Sequence, residues 1–397
     1  MERSELVELL SPEGLRLLDS LPPYHSKSDV LALVTELRKA GHPPGLVAAV
    51  LTQSKLRTKA AAKFGPFADR MLFTEAGLEQ ATRLPVAARH AGRFAAAGLT
   101  RVADLGCGIG GDAMSLAALD LEVTAVEADE VTAAIASYNL APFDNATVEH
   151  GLAEDADLHG IDGVFLDPAR RTAGHGQTAR LTDPDDYSPS LGFAFELGTG
   201  RSVGVKLGPG LDRDLIPTGA EAQWVSVDGQ LVEMGLWFGA LARSGIRRAA
   251  LVLHGDEASE LTAPSDSEDV EAGPLGGYLY EPDGAVIRAR LIGDLARSLN
   301  ARMLSDGIAY LTSDDATSTP FATGFRVIET LPFQEKELKR ALRQRGIGTL
   351  EIKKRGVDVN PAALRKRLSL SGSGSATVVL TRVAGRHTAL LVERLPA

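Results

Sequence analysis

The sequence is poor in several residue types, and each shortage excludes a class of protein. Cys107 is the single cysteine among 397 residues, which excludes a disulfide framework and a metal site built from several cysteines. The eight histidines are scattered without the spacing of zinc ligands, so no metal is expected. No apolar run approaches a membrane span, and the opening MERSELVELL is unlike a secretory signal. These features predict a cytoplasmic protein with no membrane partner.

Positive charge is scarce in the whole chain but abundant near its C-terminal end. The formal net charge is −10. From Arg326 onward there are 15 Lys/Arg against 6 Asp/Glu, a balance of +9, so residues 1–325 carry −19. A basic segment on an acidic chain is an unspecific but recognised sign of nucleic-acid binding. We take Lys353, Lys354 and Arg355 as candidate phosphate contacts.

Apolar periodicity divides the chain into helical and mixed segments. The N-terminal part predicts helices throughout, and from Arg101 strands alternate with helices, as in a doubly wound parallel sheet. Seven strands are predicted, of which the last, 247–254, is expected to run antiparallel. An acidic stretch without bases follows and predicts a loop. The predicted domains are a helical domain (1–97), an α/β core (98–254), an acidic linker (255–273) and a basic α+β domain (274–397).

The segment VADLGCGIGGD, 102–112, indicates a strand, a glycine loop and a helix start, the arrangement of a nucleotide-cofactor site. Its glycines fit two templates, the dinucleotide spacing at Gly106, Gly108 and Gly111 and the S-adenosylmethionine (SAM) pattern at Gly106, Gly108 and Gly110. Asp104 favours SAM, because a carboxylate there repels a pyrophosphate and attracts an ammonium or a sulfonium. Glu127, which ends the next strand, is expected to accept hydrogen bonds from ribose. A nicotinamide or flavin enzyme remains the alternative.

A second constellation, FLDPARR (165–171), ends the fourth predicted strand and is expected to face the glycine loop. The Asp167 carboxylate and the Pro168 carbonyl suit the two N–H groups of an exocyclic amine on a base. Acceptors on both groups direct the nitrogen lone pair towards a sulfonium methyl, so positioning and electrostatics supply the rate. An Asp-Pro turn after a strand is the structural alternative.

These motifs resemble those of class I SAM-dependent methyltransferases, and the core layout is similar to that of RNA guanine-N2 methyltransferases. The segment GIGTLEIKKRGVDVNPAALRKRL, 346–368, resembles the THUMP-like domain fused to a bacterial subset of these enzymes. The resemblance implies a Rossmann-like, seven-stranded methyltransferase core with an N-terminal helical domain and a C-terminal α+β THUMP-like domain. It also implies SAM as cofactor and RNA, either tRNA or rRNA, as substrate.

The chain departs from the family pattern at two places. Ala169 and Arg170 replace the second proline and the aromatic residue of the signature [D/N/S]-P-P-[aromatic]. An arginine plane can stack on a base or hold a phosphate, so Arg170 and Arg171 are candidate substrate contacts, and Tyr187 is a candidate stacking residue from elsewhere.

The second departure concerns the adenine of the cofactor. The acidic residue that the family has after the third strand is absent, and Leu152 stands there. We therefore assign adenine recognition to backbone groups at Leu152 and Ala153 or to Asp155, with Ala128 beside the ribose.

Two other functions remain compatible with the sequence. The chain could be a methyltransferase of a small molecule or a protein, or a SAM- and RNA-binding protein without activity, because Ala169 and Arg170 depart from the signature. One chemistry is disfavoured: Cys107 lies in the cofactor loop, which leaves no cysteine nucleophile for methylation at C5 of a pyrimidine.

Overall fold

A computed structural model describes residues 1–22, 27–170 and 187–396. Its helices are α1 (Arg3–Leu9), α2 (Pro12–Ser20), α3 (Lys27–Lys39), α4 (Pro44–Phe64), α5 (Glu75–Gln80), α6 (Leu84–Ala96), α7 (Gly111–Ala117), α8 (Glu130–Leu140), α9 (Leu191–Gly198), α10 (Gly284–Arg288), α11 (Ile292–Ser298), α12 (Glu335–Gln344) and α13 (Pro361–Leu368).

Its strands are β1 (Arg101–Leu105), β2 (Glu122–Glu127), β3 (Ala146–His150), β4 (Gly163–Leu166), β5 (Ala169–Arg170), β6 (Tyr187–Ser188), β7 (Ser202–Leu207), β8 (Glu221–Val227), β9 (Gln230–Trp237), β10 (Arg248–His254), β11 (Glu257–Ala263), β12 (Tyr278–Pro282), β13 (Arg302–Ser305), β14 (Ile308–Ser313), β15 (Ala322–Leu331), β16 (Ile347–Lys354), β17 (Gly374–Val383) and β18 (Arg386–Arg394).

The described residues before β1 are mainly helical, as predicted. Helix α2 begins after Ser11, whose hydroxyl accepts a hydrogen bond from the Gly14 amide, and α4 begins at Pro44, because the fixed φ of proline suits a first helical position. Leu9, Val50 and Phe64 are fully buried in a core that these helices share with α7 and α8. The helices therefore pack on the α/β part of the chain.

Among the described residues, nine strands form one sheet in the order β11-β10-β8-β9-β7-β4-β1-β2-β3. Strands β3, β2, β1, β4 and β7 are parallel neighbours. Every residue of β4 is buried, as expected for a parallel strand that is covered on both faces. The predicted mixed α/β class is confirmed, and the carboxyl ends of β1, β2 and β4 lie at one edge of the sheet.

The prediction that the strand at 247–254 runs antiparallel was wrong. Strand β10 pairs with β8 in parallel instead of antiparallel, and β9, which the sequence prediction missed, lies between β8 and β7. Asp228 and Gly229 both have positive φ and join β8 to β9 as a two-residue hairpin, so β9 is the antiparallel strand.

The expected acidic linker contains a strand, so the loop predicted for residues 257–263 was wrong as well. Strand β11 pairs antiparallel with β10 from Arg248↔Ala263 to His254↔Glu257. Its acidic residues are tolerated because β11 is the outermost strand of the sheet, where charge suits an open edge.

The C-terminal region forms a second sheet, which among the described residues has seven strands in the order β13-β14-β12-β15-β18-β17-β16. Strands β16 and β17 are parallel, and the other neighbouring strands of this sheet are antiparallel. Helices α12 and α13 bury Leu338, Leu342, Leu364 and Leu368 in one apolar cluster with residues of β16. The predicted strand pair at the C-terminus, joined by a glycine turn, is confirmed.

The chain divides into two compact units. One comprises Met1–Leu207, Asp212–Thr218 and Leu236–Ala242, and the other comprises Gly208–Leu211, Gly219–Gly235 and Arg243–Ala397. In the part of the chain that the structure describes, no helix is long and apolar enough to cross a membrane.

Candidate active site

The glycine loop between β1 and α7 has the backbone that its sequence predicts. Gly106, Gly108 and Gly110 have φ of +82°, +56° and +84°, a region that favours glycine because it has no Cβ. The amides of Gly106 and Cys107 both donate to the Val126 carbonyl, at 2.8 and 3.0 Å, which holds the loop against β2. The loop is therefore fixed by its own backbone at the end of β1.

Glu127 is positioned by the same loop. Its Oε2 accepts a hydrogen bond from the Gly108 amide and its Oε1 accepts one from the Asp129 amide, both at 2.9 Å. Each carboxylate oxygen retains a further lone pair, so ribose hydroxyls can still donate to it. The neighbouring Ala128 carbonyl lies 3.1 Å from Nε2 of His150.

The residues assigned to adenine follow β3 at the same sheet edge, where the Gly151 amide donates to the Glu127 carbonyl at 3.0 Å. Leu152 exposes 55 % of its surface, which is high for a leucine. Ala153 is buried and Asp155 is exposed. Leu152 thus presents an exposed apolar side chain one residue after this backbone contact, and such a surface can pack against the face of a flat ring.

Asp104 is the most unusual group at the site. It is 1 % exposed, and neither carboxylate oxygen has a hydrogen-bond partner of good geometry. Burial raises the pKa of Asp104 well above its usual value, the carboxylates of Asp112 and Asp167 raise it further, and Lys206 opposes them. A buried acceptor without a donor is costly unless a ligand supplies one. Asp104 therefore fits a cofactor that carries positive charge.

The Asp-Pro corner lies beside the glycine loop. A Cβ on Gly106 would be 3.7 Å from the backbone carbonyl oxygen of Asp167. The Asp167 side chain is 29 % exposed and Pro168 is buried. The structure thus brings together Asp104, the loop and the corner, at the carboxyl ends of neighbouring strands.

Sequence reasoning missed Lys206, near the end of β7. Its ammonium forms an ion pair with Oδ2 of Asp167 and donates to Oγ1 of Thr82 at 2.9 Å and to the Gln80 carbonyl at 3.3 Å. The lysine side chain is only 10 % exposed. A lysine near the end of the otherwise apolar strand SVGVKL was a signal, since lysine is rarely buried without a partner.

The contacts continue from Lys206 to two more buried groups that were missed. The Thr82 hydroxyl donates to Oδ2 of Asp112 at 2.6 Å, and Oδ1 of Asp112 lies 2.9 Å from Nδ1 of His90. Burial alone raises the pKa of Asp112, but the hydrogen bond and the charge of His90, with Lys206 and Thr82, lower it below its usual value overall. The ring of His90 contacts Phe165, with centroids 5.1 Å apart.

The candidate substrate residues after the corner are only partly described. Ala169 and Arg170 form β5, which pairs with β6 so that Arg170 stands opposite Tyr187. The Arg170 side chain and all of Arg171 lie outside the described residues. Tyr187 is 4 % exposed, and it lies in β6 before α9, which Ser190 caps and Leu191 begins.

The three candidate phosphate contacts in β16 and just after it differ in environment. Lys353 donates to Glu281 at 2.6 Å, and its ammonium lies 5.7 Å from the Phe325 ring centroid. The Arg355 guanidinium lies over the Tyr310 ring, 5.4 Å from its centroid. Lys354 alone of the three is exposed. Two of the three cations thus have partners inside their own unit.

Comparisons with known proteins show which proteins the chain resembles. Residues 322–394 match the family described as THUMP domain-like, and residues 2–60 match a domain of unknown function (DUF8688). An uncharacterized SAM-dependent methyltransferase of Mycobacterium tuberculosis is 35 % identical over 342 residues in strain H37Rv and equally so in strain CDC 1551. The match covers 83 % of this chain and 90 % of the relative.

A solved structure shares the fold of nearly the whole chain. It is a candidate methyltransferase of Porphyromonas gingivalis W83, with a TM-score of 0.71 and 21 % identity, and the match covers 94 % of this chain and 100 % of that chain. The fold of both units is thus found in a solved protein. Taken with the glycine loop, the unpartnered Asp104 and the long match to the mycobacterial protein, this shows that the chain belongs to the SAM-dependent methyltransferases and that SAM is its cofactor.

Proposed function

We propose that the protein methylates an exocyclic amino group of a base in RNA, either tRNA or rRNA. The observation that carries the proposal is the close approach of the Asp167 carbonyl oxygen to Gly106, where an added Cβ would lie 3.7 Å from it. This supports a position of the Asp-Pro corner beside the glycine loop. A carboxylate and a carbonyl at that corner are acceptors for the two N–H groups of an amine.

The corner supplies positioning and electrostatic stabilisation. An exocyclic amine is a poor nucleophile because its lone pair is delocalised into the ring. When the Asp167 carboxylate and the Pro168 carbonyl accept hydrogen bonds from its two N–H groups, the nitrogen can become pyramidal and direct its lone pair outward. SAM supplies the electrophilic methyl group, and the electron pair of the broken C–S bond stays on sulfur. The methylated nitrogen then loses one proton, for which the Asp167 carboxylate is the neighbouring acceptor.

A basic face on the C-terminal domain supports RNA as the substrate. We use this name for the cationic residues of α12 and α13, which are Lys336, Lys339, Arg340, Arg343, Arg365, Lys366 and Arg367. The two helices are neighbours, because Lys339 donates to the Arg367 carbonyl and Arg343 donates to the Ser369 carbonyl.

The charge of this basic face is largely uncompensated. Arg367 pairs with Glu335, whereas Lys339, Arg343 and Arg365 donate to backbone carbonyls. Within the described part of the chain, Lys336, Arg340 and Lys366 are exposed and form no ion pair. Phosphate groups of RNA are natural counter-ions for such a face. We assign docking to it, with Lys354 as an outlying contact, and no longer to Lys353 and Arg355.

The match to the THUMP domain-like family over residues 322–394 includes both helices and supports the same substrate class. In the proposed organisation the basic domain (274–397) docks RNA, and the core (98–254), with the helical domain (1–97), carries the transfer in the cytoplasm. The strand β11 restricts the linker to about the second half of the segment 255–273.

The test is to identify which material from the cell accepts the methyl group. The purified protein is incubated with methyl-labelled SAM and, separately, with the RNA, protein and small-molecule fractions of cells that lack it. We expect label in RNA, and we expect Asp167→Asn to bind SAM normally but to transfer the methyl about 100-fold more slowly.

The two alternatives give different results. Label in the protein or small-molecule fraction, with none in RNA, would overturn the substrate class. An absence of label in every fraction, with intact SAM binding, would indicate a binding protein without activity.

A further inference from the structure

The ammonium of Lys206 has all three of its donors in use. One is directed at Oδ2 of Asp167, one at Oγ1 of Thr82 and one at the Gln80 carbonyl. Gln80 ends α5 and Thr82 lies in the turn between α5 and α6, in the N-terminal helical segment, whereas Lys206 belongs to β7 and Asp167 directly follows β4 in the core. Lys206 therefore links the N-terminal helical segment to Asp167 of the Asp-Pro corner.

The turn that holds Lys206 is itself fixed from two sides. Thr82 donates onward to Asp112 at 2.6 Å, and Asp112 is bound by His90 of α6. Lys63 of α4 donates to the carbonyls of Leu78, Glu79 and Ala81, at 2.8, 2.7 and 2.7 Å, which ends α5 and sets the path of the turn. Each of these contacts lies within the first unit.

Electrostatics require a cation at this position. Three carboxylates, those of Asp104, Asp112 and Asp167, lie close enough for Asp112 and Asp167 to disfavour the charge of Asp104. Lys206 opposes that effect on Asp104 and also stabilises the charge of Asp112. Without Lys206, Asp167 would lose this ion pair and would still lie near the carboxylate of Asp104.

From these contacts we infer that Lys206 is a positioning residue for Asp167, and that the N-terminal helical segment completes the catalytic centre by holding Lys206 through Thr82 and Gln80. The inference rests on the proposed role of Asp167. With Oδ2 held by the ammonium, the orientation of the carboxylate is set before the substrate arrives. Prior orientation of this kind lowers the barrier to reaction.

The experiment compares Lys206→Gln, Lys206→Arg and Thr82→Val with the wild type. Rates are measured with methyl-labelled SAM and bulk RNA from cells that lack the protein, and SAM binding is measured by calorimetry. Thr381→Val is the matched control for Thr82→Val, because Thr381 is also buried but its hydroxyl has no hydrogen-bond partner.

We expect Lys206→Gln to lower kcat about 100-fold and Thr82→Val about 10-fold, with the SAM dissociation constant changed less than about threefold. Lys206→Arg should recover part of the activity, since it retains the charge. Thr381→Val should retain the wild-type rate. The measured stoichiometry of SAM binding corrects each rate for any protein that is not folded.

The pH profile separates positioning from a purely structural role. The titratable groups around the ammonium are Asp104, Asp112, Asp167, His90 and Lys63. An adjacent cation favours an ionised carboxylate, so in Lys206→Gln the acid limb of the kcat profile should move to higher pH. Loss of fold alone would lower the rate at every pH without moving the limb.

One outcome would overturn the role of Lys206 alone, and a different outcome would overturn the proposed function of Asp167. If Asp167→Asn is inactive while Thr82→Val and Lys206→Gln keep the wild-type kcat and pH profile, Lys206 does not position Asp167 and the inference fails alone. If Asp167→Asn keeps the wild-type rate, the proposed function of the corner fails. Should Lys206→Gln not fold, Thr82→Val decides, and a wild-type rate in that variant overturns the inference.

Discussion

At the scale of single residues, the cofactor site contains a carboxylate, that of Asp104, whose ionised form is unfavourable. Asp104 is buried, and neither of its carboxylate oxygens has a hydrogen-bond partner of good geometry. Burial, with the charges of Asp112 and Asp167, raises its pKa well above the usual value. The chain keeps this arrangement although a neutral side chain would be more stable in the absence of ligand. A site that is unfavourable when empty and favourable with a cation is an expected compromise between stability and binding.

The first prediction concerns Asp104→Asn and its pH dependence. Because the pKa of Asp104 is higher in the folded than in the unfolded state, the folded protein binds more protons between the two values, and stability falls as pH rises through that window. The substitution removes this pH-dependent destabilisation. The melting temperature without ligand should exceed that of the wild type by about 2–4 °C at pH 8 and approach it at pH 4.

The same variant should bind SAM more weakly, because the cation of the cofactor no longer meets a carboxylate. Thermal-shift measurements from pH 4 to pH 8, with and without SAM, check both effects, and Asp144→Asn is the control, since Asp144 is exposed. A wild-type SAM affinity in Asp104→Asn, or a lower melting temperature at pH 8, would contradict the assignment.

The sequence predicted the roles of some site residues but not of others. Asp104, Glu127 and Asp167 follow from motif spacing, since each lies at or next to the end of a predicted strand. Lys206, Thr82 and His90 could not be found in the same way, because their roles depend on which strands are neighbours and on how the helical segment packs. The contacts that join them span up to 124 residues of chain.

At the scale of elements, two side-chain amides fix the segment at Leu72 and Phe73, and one of them joins that segment to the core. Gln53 of α4 donates to the Phe73 carbonyl and accepts from the Phe73 amide, at 2.7 and 3.0 Å. Asn139 of α8 accepts from the Leu72 amide at 2.8 Å and donates to the carbonyls of Leu72 and Ile109, at 3.0 and 2.9 Å. Ile109 belongs to the glycine loop, so this anchor reaches the cofactor site.

The second prediction compares Asn139→Ala with Asn145→Ala. Both substitutions remove hydrogen bonds to backbone carbonyls, since the Asn145 amide donates to Ala117 and Leu121 at 2.9 and 2.8 Å. Each should lower the free energy of unfolding by about 1–3 kcal/mol. Only Asn139→Ala should also weaken SAM binding, because only that anchor holds the loop. Chemical denaturation and calorimetry check this, and equal SAM affinities would contradict it.

The third prediction concerns the basic face of α12 and α13. Reversal of charge at Lys336, Arg340 and Lys366 should weaken RNA binding strongly and reduce the slope of log K against log salt by about 0.7–0.9 for each phosphate that the protein no longer neutralises. Lys39→Glu, Arg70→Glu and Arg89→Glu change the net charge equally at other exposed positions. Filter binding at several salt concentrations checks this, and an equal effect of both sets would contradict a docking role.

Most elements, but not all, could be predicted from the sequence. The parallel strands have continuous apolar runs, and the helices have clear periodicity and caps. Strand β9 was missed, although the dipeptide Asp228-Gly229 before it is a typical hairpin turn. Strand β11 could not be recognised by composition, because an edge strand keeps its hydrogen bonds whatever its charge, and only Ala263 of its seven residues is buried.

At the scale of the whole molecule, the chain combines a methyltransferase core with a domain that belongs to another family. The first unit contains the described residues of the cofactor site, the corner and the Lys206 contacts, and the second contains the basic face. We thus assign the transfer chemistry to the first unit and RNA docking to the second. Mutations in one unit should therefore alter one of these functions and leave the other unchanged.

The fourth prediction uses the stability of the whole chain to separate the two cofactor templates. SAM at about 100 times its dissociation constant should stabilise the folded protein by about 2.7 kcal/mol, which a thermal shift detects. A nicotinamide dinucleotide should give no shift, because the Asp104 carboxylate disfavours its pyrophosphate. A shift with the dinucleotide and none with SAM would contradict the cofactor.

The position of the methyl group in RNA tests the central claim most directly. Bulk RNA from cells that lack the protein is labelled with methyl-labelled SAM by the wild type and by Asp167→Asn, digested to nucleosides and separated. The account predicts label from the wild type in a base methylated on its exocyclic amine, and about 100-fold less label from the variant. Label on a ribose oxygen or a ring carbon, or equal label from both proteins, would contradict it.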